Sequence, residues 1–232
     1  CGPSLPRWGA TTGIRPAAAS AVATDHLARR SPSMLGMIGA GNLAVEHAFA
    51  IAAVRDITRI VVWSRSAETI GSFRSATATL GIPVESAVSP EDVLAVSDNV
   101  CTLTPSRRPI VRGVSFRPGQ HVNAVGAPPP ADHREIDGIG MQRAKVVVDS
   151  FPTAVAKSGG VLRAISEGFI TEDDARTELG DVIVGKAAGR MSDTDITLYE
   201  SVGIGLQDLA TAELVIERAT ARGIGTSINL SG

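Results

Sequence analysis

Aromatic residues are scarce: Phe, Trp and Tyr make up 3% of 232 residues, with a single Tyr. Stacking platforms for nucleic-acid bases are therefore few. Net charge is small as well. Lys and Arg number 22 against 24 acidic residues, a formal −2, which argues against a general polyanion-binding surface. No nucleic-acid partner is expected. No apolar run reaches the length that spans a bilayer, and Cys1-Gly-Pro-Ser-Leu-Pro does not read as a signal peptide. No membrane partner is expected either. The two cysteines, Cys1 and Cys101, lie far apart and outside any metal-ligand spacing. A reducing compartment, the cytoplasm, is the simple reading. Cys101 falls in an apolar run and reads as an inert core thiol. The histidines His26, His47, His121 and His133 form no ligand pair, so they read as structural or surface groups and no metal is expected. There is no initiator Met, and the expectation is a chain that starts partway into a longer protein.

What the sequence does contain is a glycine turn in an apolar setting, Met34–Ala44, MLGMIGAGNLA. It reads as a buried strand, a turn and the start of a helix. Gly39 makes the tight turn, and Gly41 lets the backbone approach a pyrophosphate. Ala44, in place of a third glycine, still allows helix and strand to pack closely. The helix N-terminus offers unpaired N–H groups and a partial positive charge.

The remaining pattern supports a parallel sheet. Short β-branched runs at Arg59–Trp63, Val84, Val100–Leu103, His121–Val125 and Lys145–Val148 alternate with helical stretches. One such stretch, Ser66–Leu80, ends at Gly81, and another opens on Ser89-Pro90. Residues 1–13 read as an irregular arm, and Pro16 suits a first helical turn of a segment running to Arg30. Beyond Asp149 the pattern predicts helices over Val161–Glu167 and Thr171–Gly185. Thr171 and Asp174 form a variant capping box there. A small strand at Ile196–Tyr199 and a long helix at Val202–Arg222 follow. The fold class is α/β, a Rossmann-type doubly wound parallel sheet with remnants of a second substrate and dimerisation domain. The expected division is an arm and connecting helix over 1–33, the nucleotide-binding domain over 34–195, and a C-terminal strand and helix over 196–232.

In such a fold the end of the second strand selects the cofactor. Here it reads Trp63-Ser64-Arg65-Ser66, with no carboxylate. A guanidinium suits a 2′-phosphate, so NADP(H) is favoured and NAD(H) is possible. Without a ligand Arg65 is a solvated loop cation. The ends of the fourth and fifth strands, Thr102, Leu103 and Thr104 with Asn123, Val125 and Gly126, are candidate pocket walls.

Several ordered stretches resemble the ornithine cyclodeaminase/mu-crystallin family. They include Thr12-Gly-Ile-Arg-Pro-Ala-Ala18, Leu35–Gly41, Val62-Trp-Ser-Arg65, Thr102-Leu-Thr104 and Pro118–Gly126. Arg134-Glu-Ile-Asp137, Val147-Val-Asp-Ser150, Glu178-Leu-Gly-Asp181 and Ile196–Gly203 followed by Asp208 continue the series. The resemblance implies an NADP-dependent oxidoreductase acting on a small imine or amino-acid substrate, a homodimer when full length. It implies Arg15 beside the substrate carboxylate and nicotinamide, Ala40, Gly41, Asn42 and Leu43 along the pyrophosphate, and Ser64, Arg65 and Ser66 at the 2′-phosphate. It places Thr102, Leu103, Thr104 and Val125 at the ribose and nicotinamide, with Ser201 approaching the nicotinamide from the C-terminal segment. A cyclodeaminase-type lyase and a non-enzymatic NADPH-binding protein are the alternatives. Against the lyase, Pro128 stands where cyclodeaminases carry an aspartate. Lys157-Ser-Gly-Gly160 replaces a more acidic family stretch and reads as a solvated loop. The family's substrate-domain strands would lie upstream of Thr12. The long C-terminal helix is therefore expected to present an uncovered apolar face.

Overall fold

The computed structural model describes residues 8–31, 33–126 and 132–226. A seven-stranded sheet in the order β3-β2-β1-β4-β5-β7-β6 organises the chain, and every pairing is parallel. The elements run α1 (Trp8–Leu27), β1 (Ser33–Ile38), α2 (Asn42–Ala52), β2 (Ile57–Trp63), α3 (Ala67–Ala76), β3 (Val84–Ser86), α4 (Pro90–Val96) and β4 (Asn99–Thr102). They continue with β5 (His121–Ala124), α5 (Gly138–Arg143), β6 (Lys145–Val148), α6 (Phe151–Lys157), α7 (Gly159–Ser166), α8 (Leu179–Ile183), β7 (Thr197–Glu200) and α9 (Gly205–Ala221).

Alternation along the strands divides the core in two. Leu35, Met37, Ile60, Val62 and Cys101 face α2 and α3, while Ile38, Val61, Val100, Val122 and Leu198 face the opposite side. Gly36 is where α4 comes closest. A Cβ there would lie 2.6 Å from both Val93 Cγ1 and Ser97 Oγ. Ser89 and Asp92 close a reciprocal capping box at the start of α4, as Ser89-Pro90 predicted.

Four expectations need correction. The arm is helical from Trp8, so Pro16 lies inside α1 rather than in its first turn. The lost N–H is outweighed by packing: Pro16, Ala17, Ser20 and Ala21 are buried. Arg55 and Arg190 donate to the last carbonyls of α1 at Thr24, Asp25 and Leu27, which fixes its end. Thr171–Gly185 is not one helix. It is a 3-10 turn at Asp173–Ala175 and the short α8. Glu178 between them accepts from Phe151 N at 2.7 Å and bridges to Val148, so the backbone there is committed elsewhere. Lys157-Ser-Gly-Gly160 is not a solvated loop. Ser158 caps α7, and Gly160 packs so closely that a Cβ would lie 2.7 Å from Glu200 Oε1. Finally, β7 does not stand apart with the C-terminal segment. It is inserted between β5 and β6 and hydrogen-bonded on both edges.

The long C-terminal helix begins at Gly205 rather than Val202 and has no buried residue. Leu206, Leu209, Val215 and Ile216 are exposed on it, as its apolar pattern predicted.

Candidate active site

The carboxyl ends of β1, β2 and β4 surround a cleft of about 520 Å³. Its floor is the glycine turn. Gly39 has φ +109°, and a Cβ on it would meet Leu103 O at 2.8 Å, so only glycine fits. Gly41 is different. A Cβ there would touch nothing within 4 Å, because it would project into open space. Gly41 also precedes α2, and no side chain caps that helix. Its first N–H groups therefore keep their donor capacity for a ligand anion. Ala44 is fully buried against the sheet, in the close-packing role expected of it.

Ser64 and Arg65 enter the cleft from the end of β2. Arg107 and Arg108 enter from the segment after β4, on the other side of β1. Arg107 lies 3.4 Å from Asp132, whereas Arg65 and Arg108 make no ion pair among the described residues. Among those residues no carboxylate lines the cleft. Arg107 and Arg108 were not anticipated. The signal was present, since Ser106-Arg-Arg repeats the Ser64-Arg65 pattern in the loop that follows a strand, a few residues beyond the end of β4.

Of the anticipated residues, Gly39, Ala40, Gly41, Ser64, Arg65, Leu103 and Thr104 are brought together in this cleft. Ser66 is not among them: its hydroxyl caps α3 by accepting from Thr69 N at 3.3 Å. Asn42 and Leu43 open α2 beside the turn. Asn123 is not a pocket wall. It is fully buried and donates to Thr24 Oγ1 on α1.

Thr102, Thr104 and Gly126 meet at a residue that the sequence did not single out. Glu135 is buried, and its carboxylate accepts four hydrogen bonds. Thr104 N and Oγ1 reach Oε1 at 2.6 and 2.8 Å; Thr102 Oγ1 and Gly126 N both reach Oε2 at 2.8 Å. The Thr102 side chain thus serves Glu135 and is shut off from the cleft. Val125 lies between these groups, with its N–H on Thr102 O. Burial pushes the Glu135 carboxyl up to about 7, against the pull of these donors.

A second buried carboxylate holds the C-terminal side. Asp149 Oδ2 accepts from Ser201 Oγ at 3.2 Å and from Gly203 N at 2.6 Å. Burial raises its pKa, with these bonds acting the other way. Ser201 is therefore placed at the end of β7, but with its hydroxyl turned to Asp149. Arg15 lies against Gly203, whose hypothetical Cβ would be 2.7 Å from Arg15 Nη1. Its Nη1 donates to Gln207 Oε1 at 2.9 Å, and its Nε lies 2.8 Å from Asp208 Oδ1, off the donor axis. Tyr199 Oη is buried in the same cluster, near Ser201 and Gln207, without an aligned hydrogen bond. Pro128 lies outside the described residues.

A parallel sheet, a glycine turn into an uncapped helix and a cleft at the carboxyl strand ends define a dinucleotide-binding α/β protein. The chain belongs to the ornithine cyclodeaminase/mu-crystallin family, whose model matches residues 7–223. It is 35% identical over 219 residues to an alanine dehydrogenase of Archaeoglobus fulgidus, covering 94% of this chain and 66% of that one. The structure of Thermococcus litoralis Δ1-pyrroline-2-carboxylate reductase in complex with NADH and L-proline superposes with a TM-score of 0.90 at 34% identity, covering 94% of this chain and 68% of the other. An archaeal alanine dehydrogenase dimer with bound NAD gives 0.89 at 33% identity, covering 95% and 68%. The chain thus spans about two thirds of the length of the relatives it matches. A nicotinamide cofactor is the ligand class of this fold family. Among the described residues no helix is long and apolar enough to cross a membrane.

Proposed function

We propose that this chain carries the cofactor half of an NADP(H)-preferring oxidoreductase of the imine-reductase or amino-acid-dehydrogenase type. The carrying observation is the cleft itself: an open face at Gly41, an uncapped α2, and Arg65 and Arg108 on the two sides of β1 without ion partners among the described residues. When bound, the nicotinamide supplies or accepts the hydride exchanged with the substrate carbon. The chain's own residues bind and orient. The α2 N–H groups receive the pyrophosphate, and Arg65 with Arg108 receives the 2′-phosphate. Two of the solved relatives hold NADH or NAD; the NADP(H) preference proposed here rests on Arg65 and Arg108 in the cleft. Arg15 orients the substrate carboxylate, releasing Asp208, which is largely exposed. The reading includes a small imine or amino-acid substrate, a cytoplasmic site of action and a homodimer in the full-length protein. The lyase alternative lacks support because Pro128 has no group to relay a proton.

Fluorescence titration of NADPH and NADH into wild type and Arg65→Ala tests this. NADPH should bind more tightly than NADH. R65A should lose about tenfold for NADPH, one charge-assisted phosphate contact, and leave NADH unchanged. A preference for NADH would overturn the 2′-phosphate role, and failure to bind either would overturn the whole reading.

A further inference from the structure

We propose that Glu135 is a positioning residue for the nicotinamide half of the site, tying the ends of β4 and β5 into one surface through four accepted hydrogen bonds. The inference rests on the cofactor reading above. Every group that reaches Glu135 is a donor, two of them backbone N–H groups that cannot reverse their role. The carboxylate accepts all four as they stand, whereas a protonated Glu135 requires one of the two threonine hydroxyls to turn round and accept. Arg134, next in the chain, gives it no countercharge. That guanidinium is turned to Glu167, at 2.7 and 2.8 Å, and its Nε to Ile136 O. A buried carboxylate held by dipoles alone is a costly way to fill space, and an apolar side chain would be cheaper if packing were its only task.

The geometry shows what the arrangement secures. At Gly126 the two strand ends approach so closely that a Cβ would lie 2.1 Å from Thr104 N. Glu135 holds both sides of that contact, Thr104 N and Gly126 N. Thr104 also lines the cleft. A displacement of the carboxylate therefore moves a wall of the site directly. The titratable groups around it are Cys101 on β4 and Glu200 on β7, each of which feels its charge, with Asp149 acting on Glu200 from the end of β6. Arg134 faces Glu200 weakly from the same segment. With the Glu135 carboxyl raised to about 7, neutral pH spans its ionised and protonated forms. Protonation converts one oxygen from acceptor to donor, so a threonine hydroxyl must reverse to receive it and the strand-end network is rearranged.

The test is NADPH affinity of the full-length protein between pH 6 and 8.5, read by fluorescence, with melting temperature measured on the same samples. Wild-type affinity should rise with pH through about 7. Glu135→Gln should bind about tenfold more weakly at pH 8, as expected for a lost bond to a charged acceptor, and its profile should be flat. Thr102→Val should weaken binding in the same sense, and Thr102→Ser should restore it. That pair decides the matter if E135Q does not fold. E135Q with wild-type affinity and a wild-type pH profile would overturn the proposal, as would T102S binding no better than T102V. In either case wild-type binding would leave the cofactor reading standing. Absence of NADPH binding by wild type at every pH would remove both.

Discussion

At the adenosine end of the cleft, Gly41 faces open space, α2 has no cap, and Arg65 and Arg108 are exposed without ion partners among the described residues. At the other end nearly every polar group is already engaged. Glu135 gathers Thr102, Thr104 and Gly126, while Asp149 gathers Ser201 and Gly203. One end leaves positive charge and donors for a ligand to satisfy. The other satisfies itself and presents a shape. Binding strength should therefore be set mainly by the first, where desolvation is slight and charge is unpaired. Accuracy of placement should be set by the second, where the protein has met the cost of order in advance.

Two glycine substitutions break this comparison in opposite ways. Gly126→Ala places a methyl 2.1 Å from Thr104 N, a backbone atom that cannot swing aside. We expect a loss of about 4 kcal/mol or more in unfolding free energy, measured by chemical denaturation. A loss below about 1 kcal/mol would mean that the β4 and β5 ends are not locked together. Gly41→Ala meets nothing within 4 Å and has an ordinary φ of −78°. Its stability should match or slightly exceed that of wild type, since alanine restricts the unfolded chain. Its cofactor affinity should fall by about a hundredfold, because the methyl fills the space left for the pyrophosphate. Tight binding by G41A would show that the phosphates lie elsewhere.

The same division explains what the sequence disclosed. The strands were legible to within a residue or two, because most are short buried apolar runs, although β3 is Val-Glu-Ser with no buried residue. Lys145–Val148 matches to the residue. The glycine turn and Ser64-Arg65 were legible because the adenosine end is assembled from consecutive residues. Glu135 was visible only as part of the Arg134-Glu-Ile-Asp137 stretch and without a role, because its partners come from positions 102, 104 and 126, which no local pattern ties to it. The insertion of β7 between β5 and β6 was hidden for a related reason, since strand order is a property of the whole sheet. The helical Trp8–Pro16 stretch was obscured by a local rule, the helix-starting preference of proline. Burial of Pro16 and Ala17 overrode it.

A smaller effect would sharpen the contrast between the prearranged end and the rest of the core. His47, on the α1–α2 seam, and His121 are buried, and desolvation lowers them to about 4 and about 3. Between those values and 6.5 the unfolded chain binds more protons, so these two groups destabilise the fold as pH falls. Glu135 and Glu200 have the opposite sign. Burial raises both from 4.5 to about 7, so the folded chain binds the extra proton in that interval and their contribution is lost as pH rises. The two pairs offset one another, and the wild-type stability curve should be shallow between about pH 4.5 and 6.5. Glu200→Gln removes one of the opposing terms while keeping an oxygen for Ser158 Oγ, which lies 2.6 Å from Glu200 Oε1. Relative to wild type, E200Q should gain about 1.4 kcal/mol per pH unit across the interval, measured by denaturation at a series of pH values. A constant difference between the two curves would mean that Glu200 is ionised throughout, and that the strand ends hold charge without help from protonation.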